Sequence, residues 1–202
     1  MSVVKFSAIN PHEAGCACTG GGKTGRVIPA SRDFDYPTVF FPDGELLKKI
    51  GAEALRKLVF RHHSLLRESE IGNMFPKDEE EFLRRVSAIA DFIVEACGGE
   101  RNYSEREGRD VCIRTRHFPI EITEKGREVW LRTLYTALEE SGFPRKFRAM
   151  YWEWLEPFSI RMINRRTTKT QPVRMTWKNA KAFADGKLKV KKAAETCKCG
   201  CH

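Results

Sequence analysis

The chain has 202 residues, of which 41% are hydrophobic, so it is long enough for one ordinary domain with extensions and can bury a real core. Its formal net charge is +9, but residues 165–202 hold 11 of the 36 Lys and Arg and 2 of the 27 Asp and Glu, which leaves 25 of each sign in residues 1–164. The excess positive charge belongs to the C-terminal tail, so the sequence gives no strong signal for a nucleic-acid-binding face on the domain. The chain has no apolar run long enough to cross a bilayer and no signal-peptide core, so we expect a cytoplasmic protein with no membrane span.

The first helical pattern begins at Asp43, after an N-terminal extension of residues 1–42 that has no helical periodicity and is expected to be irregular. Apolar side chains recur at i, i+3, i+4 and i+7 spacing, and His62 and His63 fall inside this stripe. Adjacent helical residues diverge by about 100°, so only one of the two histidines is expected to point squarely into the core. His63 continues the stripe better than His62 does.

A second helix is predicted to begin at Asp78, whose side chain can cap it while Glu81 reaches back. Its inner face carries Phe82, Val86, Ile89, Phe92 and Ile93. The pair Gly98-Gly99 is expected to end it in a left-handed conformation. The polar stretch that follows connects this helix to His117.

Two further helices are predicted, from about Thr123 to Ser141 and from about Pro144 to Ile163, and Pro157 inside the latter predicts a kink. Residues 165–196 are expected to be weakly structured, with Trp177 and Phe183 as docking points. The four main helices should pack as two antiparallel pairs, and the fold class is all-α.

The stretch around His117 contains several side chains that can bind a metal or an anion. An imidazole held between two helices can bind a metal from one side, and Arg114 and Arg116 beside it suit an anionic group because guanidinium makes bidentate bonds to carboxylate or phosphate. From this stretch alone, a surface or capping histidine is the alternative.

Several segments together resemble the second group of truncated haemoglobins, short globins with a two-over-two helical sandwich around haem. They occur in the family's order between residues 44 and 163 and are IGAEALRKLV at 50–59, MFP at 74–76, FIVEACGG at 92–99, YSEREG at 103–108, RTRHFPIEI at 114–122 and REVWL at 127–131. The resemblance implies a haem domain at residues 43–164, between the irregular extension 1–42 and a basic, Cys-rich tail at 165–202.

The resemblance also implies roles for single residues around haem. His117 matches the proximal histidine that binds the iron, and Trp130 matches the tryptophan that lines the distal pocket. The remaining matches are Arg114 and Arg116 near the haem propionates, Phe75 packed on the haem, and Arg85, Ile89 and Phe92 on the distal-side helix.

One departure from the family lies across the iron, where a Phe-Tyr pair is usual and this chain has His62-His63. Without the tyrosine hydroxyl, three alternatives stand open. A histidine, with His63 the better candidate, can donate a hydrogen bond to bound oxygen, ligate the iron directly, or merely fill the pocket.

The terminal cysteines form a separate candidate site. Cys197, Cys199 and Cys201, followed by His202, present soft ligands that select Cu(I) or Zn, and Cys16 and Cys18 are possible further ligands. Idle tail thiols are the alternative. Because the spacing is not the Cys-x-x-Cys-His of covalent attachment, the haem is expected to be noncovalent haem b.

The resemblance therefore implies a haem-binding globin whose ligand is a small molecule such as oxygen, nitric oxide, carbon monoxide or sulfide. The alternatives are a haem enzyme of the peroxidase or nitric oxide detoxification type, served by a redox partner, and a haem-based redox or metal sensor that uses the terminal cysteines. The sequence leaves enzymatic activity and oligomeric state open.

Overall fold

The structure, a computed structural model, describes residues 36–107 and 113–188 together with the backbone of residues 27 and 28. In chain order the elements are β1 (Val27–Ile28), β2 (Val39–Phe40), α1 (Gly44–Arg67), a 3₁₀ turn (Gly72–Met74), α2 (Glu79–Ala96), α3 (Asn102–Glu107), α4 (Ile113–Arg116), α5 (Glu124–Glu140), α6 (Arg145–Ile160) and α7 (Trp177–Ala184). The two strands form a short antiparallel pair, in which Val27 is opposite Phe40 and Ile28 is opposite Val39.

Helix α1 is two helical segments joined at Gly51. Gly51 has φ 78° and ψ 157°, a conformation that interrupts the helix and that glycine adopts without the steric cost of a Cβ. The longer segment after Gly51 buries one continuous face. That face consists of Leu55, Leu58, Val59, His62, His63 and Leu66.

The predicted cap and glycine ending of α2 are confirmed, whereas the side chain of Glu81 pairs with Arg85 and does not reach back to Asp78. Asp78 accepts a hydrogen bond from the backbone N–H of Glu81 at 2.8 Å and so caps α2. At the other end of α2, Gly98 has φ 86°, and the N–H of Gly99 bonds to the carbonyl oxygen of Val94 at 3.0 Å. This is the left-handed ending expected for that glycine pair. Thr123 caps α5 by accepting from the N–H of Gly126 at 3.1 Å.

The core lies between α1, α2, α5 and α6. Helix α1 packs against both α2 and α5, and α5 packs against α6 and α7. Aromatic residues of α6 fill the centre, where Tyr151, Trp152 and Trp154 are each at most 2% exposed. This is the globin-like arrangement of helices that was predicted. No helix in the described part of the chain is both long and apolar enough to span a membrane.

The expectation that residues 165–196 are weakly structured is wrong for residues 165–188. Trp152 donates its indole N–H to the carbonyl oxygen of Met175 at 2.6 Å, and the N–H of Trp177 donates to Glu153 at 2.8 Å. Helix α7 then buries Phe183, which is 1% exposed. Trp177 and Phe183 are therefore docking points, as predicted, but within a segment that is held by the body of the domain.

Candidate functional site

A cavity of about 210 Å³ lies between α1, α2, α5, α6 and the turn after α4. Its lining is predominantly aliphatic and aromatic, which suits a large flat apolar group better than a polar metabolite. Eight of the ten residues predicted to contact the cofactor line it, namely His62, His63, Phe75, Arg85, Ile89, Phe92, His117 and Trp130. The helical elements thus bring together residues that are up to 68 positions apart, as His62 and Trp130 are.

His117 is held in one tautomer by the short helix α4. Its Nδ1 lies 2.6 Å from the carbonyl oxygen of Ile113, four residues earlier. A carbonyl oxygen only accepts, so Nδ1 carries the hydrogen and Nε2 keeps its lone pair. Nε2 makes no hydrogen bond to the described part of the chain. An imidazole whose second nitrogen donates to a backbone carbonyl is the arrangement that orients metal-binding histidines in proteins.

The turn that carries His117 is closed by Asn164, a residue that the sequence analysis missed. Its Nδ2 lies 2.8 Å from the carbonyl oxygens of both His117 and Ile120, and its Oδ1 accepts from the N–H of Ile122 at 2.9 Å. One side chain therefore satisfies three backbone groups of the turn between α4 and α5. The partners of Asn164 are more than 40 residues away along the chain, so no local signal in the sequence indicates this role.

His62 and His63 both line the cavity, so the expectation that only one of them points inward is wrong. They are 3% and 7% exposed. The cavity wall curves around this part of α1, since α2 covers one side and α5 the other. The ring of His62 packs edge-on against that of Trp130 with the centroids 4.7 Å apart.

Hydrogen bonds to backbone carbonyls fix the tautomers of both rings. Nε2 of His62 lies 3.0 Å from the carbonyl oxygen of Trp130, and Nδ1 of His63 lies 2.8 Å from that of Val59. Each of these nitrogens must donate, so the other nitrogen of each neutral ring is a bare lone pair. For His63 that nitrogen is Nε2, as in His117. A neutral His63 consequently has no N–H left for a ligand.

Burial disfavours the charged form of all three imidazoles. It lowers the pKa of His63 to about 4, and the bond to the Val59 carbonyl opposes this shift only in part. Burial also lowers the pKa of His62 well below its ordinary value, and it lowers that of His117. Neutral rings have lone pairs available to a metal or to a hydrogen-bond donor, whereas imidazolium rings do not.

Arg114 and Arg116, predicted to lie near the haem propionates, are exposed on α4 and do not line the cavity. The guanidinium of Arg114 instead lies over the ring of Tyr36, 5.9 Å from its centroid. The cation in the cavity wall that the sequence analysis missed is Arg127, which is 5% exposed.

Arg127 belongs to a buried polar network behind the cavity. Its guanidinium contacts Glu156 at 2.5 Å, the Ser159 hydroxyl at 2.9 Å and the Val173 carbonyl at 3.1 Å. Glu156 in turn accepts from Arg174 at 2.6 Å and from the N–H of Met175 at 2.9 Å. The network ties α5 and α6 to the C-terminal segment. A buried charge needs such partners, because an unpaired one costs several kcal/mol.

These features fit haem. The cavity is apolar, Phe75 and Phe92 are placed on its wall, and an imidazole backed by a carbonyl presents a lone pair to it. Neutral imidazole is a common protein ligand of haem iron. The residues present thus agree with the group that the sequence resemblance implies.

The terminal metal site predicted at Cys197, Cys199 and Cys201 lies outside the described residues, as do Cys16 and Cys18. Within the described ranges 36–107 and 113–188, no group of three or more His, Cys, Asp and Glu is placed to hold a metal ion. Cys97 is buried in the core, and burial raises the pKa of its thiol to about 12, so it is an unreactive packing residue.

Comparison with known proteins agrees with the fold. Residues 45–164 match the family described as bacterial-like globin. The crystal structure of phosphate-bound Hell's gate globin IV is 40% identical, with 80% of this chain and 98% of that chain covered and a TM-score of 0.69.

Two group II or related haemoglobins of known structure are also similar. The group II truncated haemoglobin of Bacillus anthracis is 26% identical over 61% of this chain and 93% of its own, with a TM-score of 0.55. The haemoglobin of the thermophilic phototroph Chloroflexus aurantiacus is 28% identical over 59% of this chain and 98% of its own, with a TM-score of 0.53. The chain therefore belongs to the bacterial-like globin family, and it is a haem-binding globin with the fold of the truncated haemoglobins.

Proposed function

We propose that this globin holds haem b noncovalently with Nε2 of His117 as its protein ligand, and that a small molecule such as oxygen, nitric oxide, carbon monoxide or sulfide binds reversibly on the side of His63 and Trp130. The observation that carries the assignment is the hydrogen bond from Nδ1 of His117 to the Ile113 carbonyl oxygen. It frees Nε2 for a metal, fixes the plane of the ring and raises the basicity of the ligand nitrogen. Haem would be held by His117 and would supply an iron centre that binds a small ligand.

The other residues of the cavity support this role in three ways. Asn164 holds the backbone that carries His117 in place. The binding of haem therefore loses less conformational entropy, because this turn is already ordered. Phe75, Ile89 and Phe92 give the cavity an apolar wall. Trp130 places an indole, whose N–H is a hydrogen-bond donor, on the same wall.

The test is a haem titration of the purified haem-free chain and of its His117→Gly variant, read by the Soret band and by quenching of tryptophan fluorescence. We expect the variant to lose at least tenfold in haem affinity, because the protein ligand is removed, and to recover spectral binding when imidazole is added. Phe118→Ala is the matched control, since Phe118 is in the same turn but is 52% exposed. Undiminished haem affinity of the His117→Gly variant without imidazole contradicts the assignment.

A second candidate concerns the coordination of the iron. His63 and His117 use the same device, a bond from Nδ1 to the carbonyl four residues earlier, and both line the cavity with an unbonded Nε2. This similarity favours a function in which His63 takes the sixth position when no other ligand is present, as in electron transfer or sensing.

The spin state of the ferric protein separates the two candidates. Ligation by His63 predicts a low-spin spectrum that becomes high-spin in His63→Leu. An open site predicts a high-spin spectrum in both proteins, and that result excludes the second candidate.

A further inference from the structure

We propose that His63 is a specificity-determining residue that accepts a hydrogen bond from the ligand, so that the distal side of the cavity favours small ligands that bear their own hydrogen. Hydrosulfide and hydroperoxide belong to this class, whereas carbon monoxide and azide do not. The inference rests on the proposed function, namely that haem is bound through His117.

The direction of the hydrogen bond follows from the backbone. Nδ1 of His63 donates to the Val59 carbonyl at 2.8 Å, and Nε2 has no partner in the described part of the chain. The Val59 carbonyl belongs to the same helix, α1, so the bond is built into a rigid element and does not depend on the ligand. A ring that is neutral and held in this way offers a lone pair to the cavity and nothing else.

Rotating the ring about χ2 does not restore a donor at low cost. It breaks the bond to Val59, and moving the hydrogen from Nδ1 to Nε2 without rotation sets the Nδ1 lone pair against the Val59 carbonyl oxygen at 2.8 Å, so either route loses the bond inside α1 and leaves a buried ring nitrogen without a partner. The neighbouring ring adds to the constraint, because His62 packs edge-on against His63 with the centroids 5.3 Å apart. His62 is itself fixed by its bond to the Trp130 carbonyl at 3.0 Å.

Trp130 supplies the complementary group. Its indole N–H is a donor only, so the distal side combines one donor with one acceptor from two elements, α5 and α1. A ligand that both donates and accepts satisfies both groups. A ligand without hydrogen leaves the buried lone pair of His63 unpaired, and it places its own lone pairs against that of His63, which weakens binding.

The test compares hydrosulfide with azide on the ferric, haem-loaded protein and on its His63→Leu variant. Leucine keeps an apolar side chain of similar length and removes the acceptor. We expect the hydrosulfide affinity to fall about fivefold or more, as for the loss of one hydrogen bond, and the azide affinity to stay within twofold or to rise. Ser64→Ala is the control, since Ser64 is adjacent but donates to the Phe60 carbonyl at 3.0 Å and does not line the cavity.

A second measurement is independent of ligand binding. Imidazole ¹⁵N chemical shifts, recorded on the haem-free chain and on the carbon monoxide complex, report which nitrogen of each ring carries the hydrogen. We expect His63 to carry it on Nδ1 and His62 to carry it on Nε2 in both samples. An Nε2–H signal from His63 overturns the proposal.

The outcomes also separate this inference from the proposed function. If the wild type and His63→Leu both bind haem and have the same ratio of hydrosulfide affinity to azide affinity, the role of His63 is overturned and the globin function stays intact. A low-spin wild-type spectrum that becomes high-spin in His63→Leu also overturns it, because the lone pair is then engaged by the iron. Failure of the wild-type chain to bind haem contradicts the proposed function, and the ¹⁵N measurement on the haem-free chain still reports the tautomer.

Discussion

The Arg127–Glu156 pair offers a sharp test of how the cavity wall is held. Both side chains are buried, with Arg127 5% exposed and Glu156 0% exposed. Replacing Arg127 with methionine removes the charge and four hydrogen bonds, two to Glu156 and one each to Ser159 and Val173. Breaking one side of a buried ion pair typically costs about 3–5 kcal/mol, because the remaining charge loses a partner. Glu156 keeps Arg174 and the N–H of Met175 as partners, so we expect a loss near the lower end of this range from a total stability on the order of 5–15 kcal/mol.

The measurement is urea unfolding of haem-loaded protein, followed by far-UV circular dichroism, for the wild type and three variants. Arg174→Met is the comparison, since Arg174 bonds to the same carboxylate but its side chain is 45% exposed, and we expect a loss of about 1 kcal/mol. The double variant Arg127→Met with Glu156→Leu removes both charges and should recover most of the loss. A cost below about 1 kcal/mol for Arg127→Met, or a double variant less stable than that single one, would falsify the reasoning.

Three further outcomes follow from the structure. In Gly72→Ala the new Cβ would lie 2.1 Å from the carbonyl oxygen of Arg67, so we expect thermal unfolding to show a loss of about 2 kcal/mol or more, whereas Gly44→Ala, with no atom within 4 Å of its Cβ, should be close to neutral. Trp152→Phe removes the 2.6 Å bond to the Met175 carbonyl and should cost about 1–3 kcal/mol while exposing the C-terminal segment to limited proteolysis; resistance equal to that of the wild type counts against this docking. Burial lowers the pKa of His63 from 6.5 in the unfolded chain to about 4, so below pH 6.5 the unfolded state binds a proton that the folded state does not. Stability of the haem-free chain should therefore fall between pH 6.5 and 4, by up to about 3 kcal/mol from His63 alone, and urea midpoints across this range should fall less steeply in His63→Leu.

Signals that act over a few residues were read correctly from the sequence. The cap at Asp78, the start of α5 near Thr123 and the left-handed glycine at Gly98 each depend on atoms within one helical turn. The position of His117 was reached by resemblance, and its locked tautomer depends on Ile113, again only four residues away. Local chemistry of this kind is visible in a sequence because the interacting groups are close along the chain.

The errors concern interactions between distant parts of the chain. The helical angle of 100° correctly separates His62 from His63, but it does not show that a cavity wall wraps around both, since that depends on α2 and α5. Likewise, the basic composition of residues 165–188 conceals their docking. Their anchors are a few apolar side chains and a carboxylate, Glu156, that lies in the C-terminal part of α6.

The polar residues Arg127 and Asn164 were missed for the same reason. Asn164 bonds to backbone groups 42 to 47 residues earlier, and Arg127 reaches Val173, 46 residues later. Neither residue type has a strong preference for such a role, so a periodicity analysis treats both as surface positions.

The bond from Arg127 to Val173 also sets an order of events during synthesis of the protein. The ribosome adds 46 residues between these two positions, which takes roughly 2–9 s at ordinary elongation rates. By the end of this interval the nascent chain contains every residue predicted to contact the cofactor, and Glu156 has been added, but the bonds from Arg127 to Val173 and from Glu156 to Arg174 and Met175 can form only afterwards. The buried polar network behind the cavity is therefore completed later than the cavity-lining residues are synthesised.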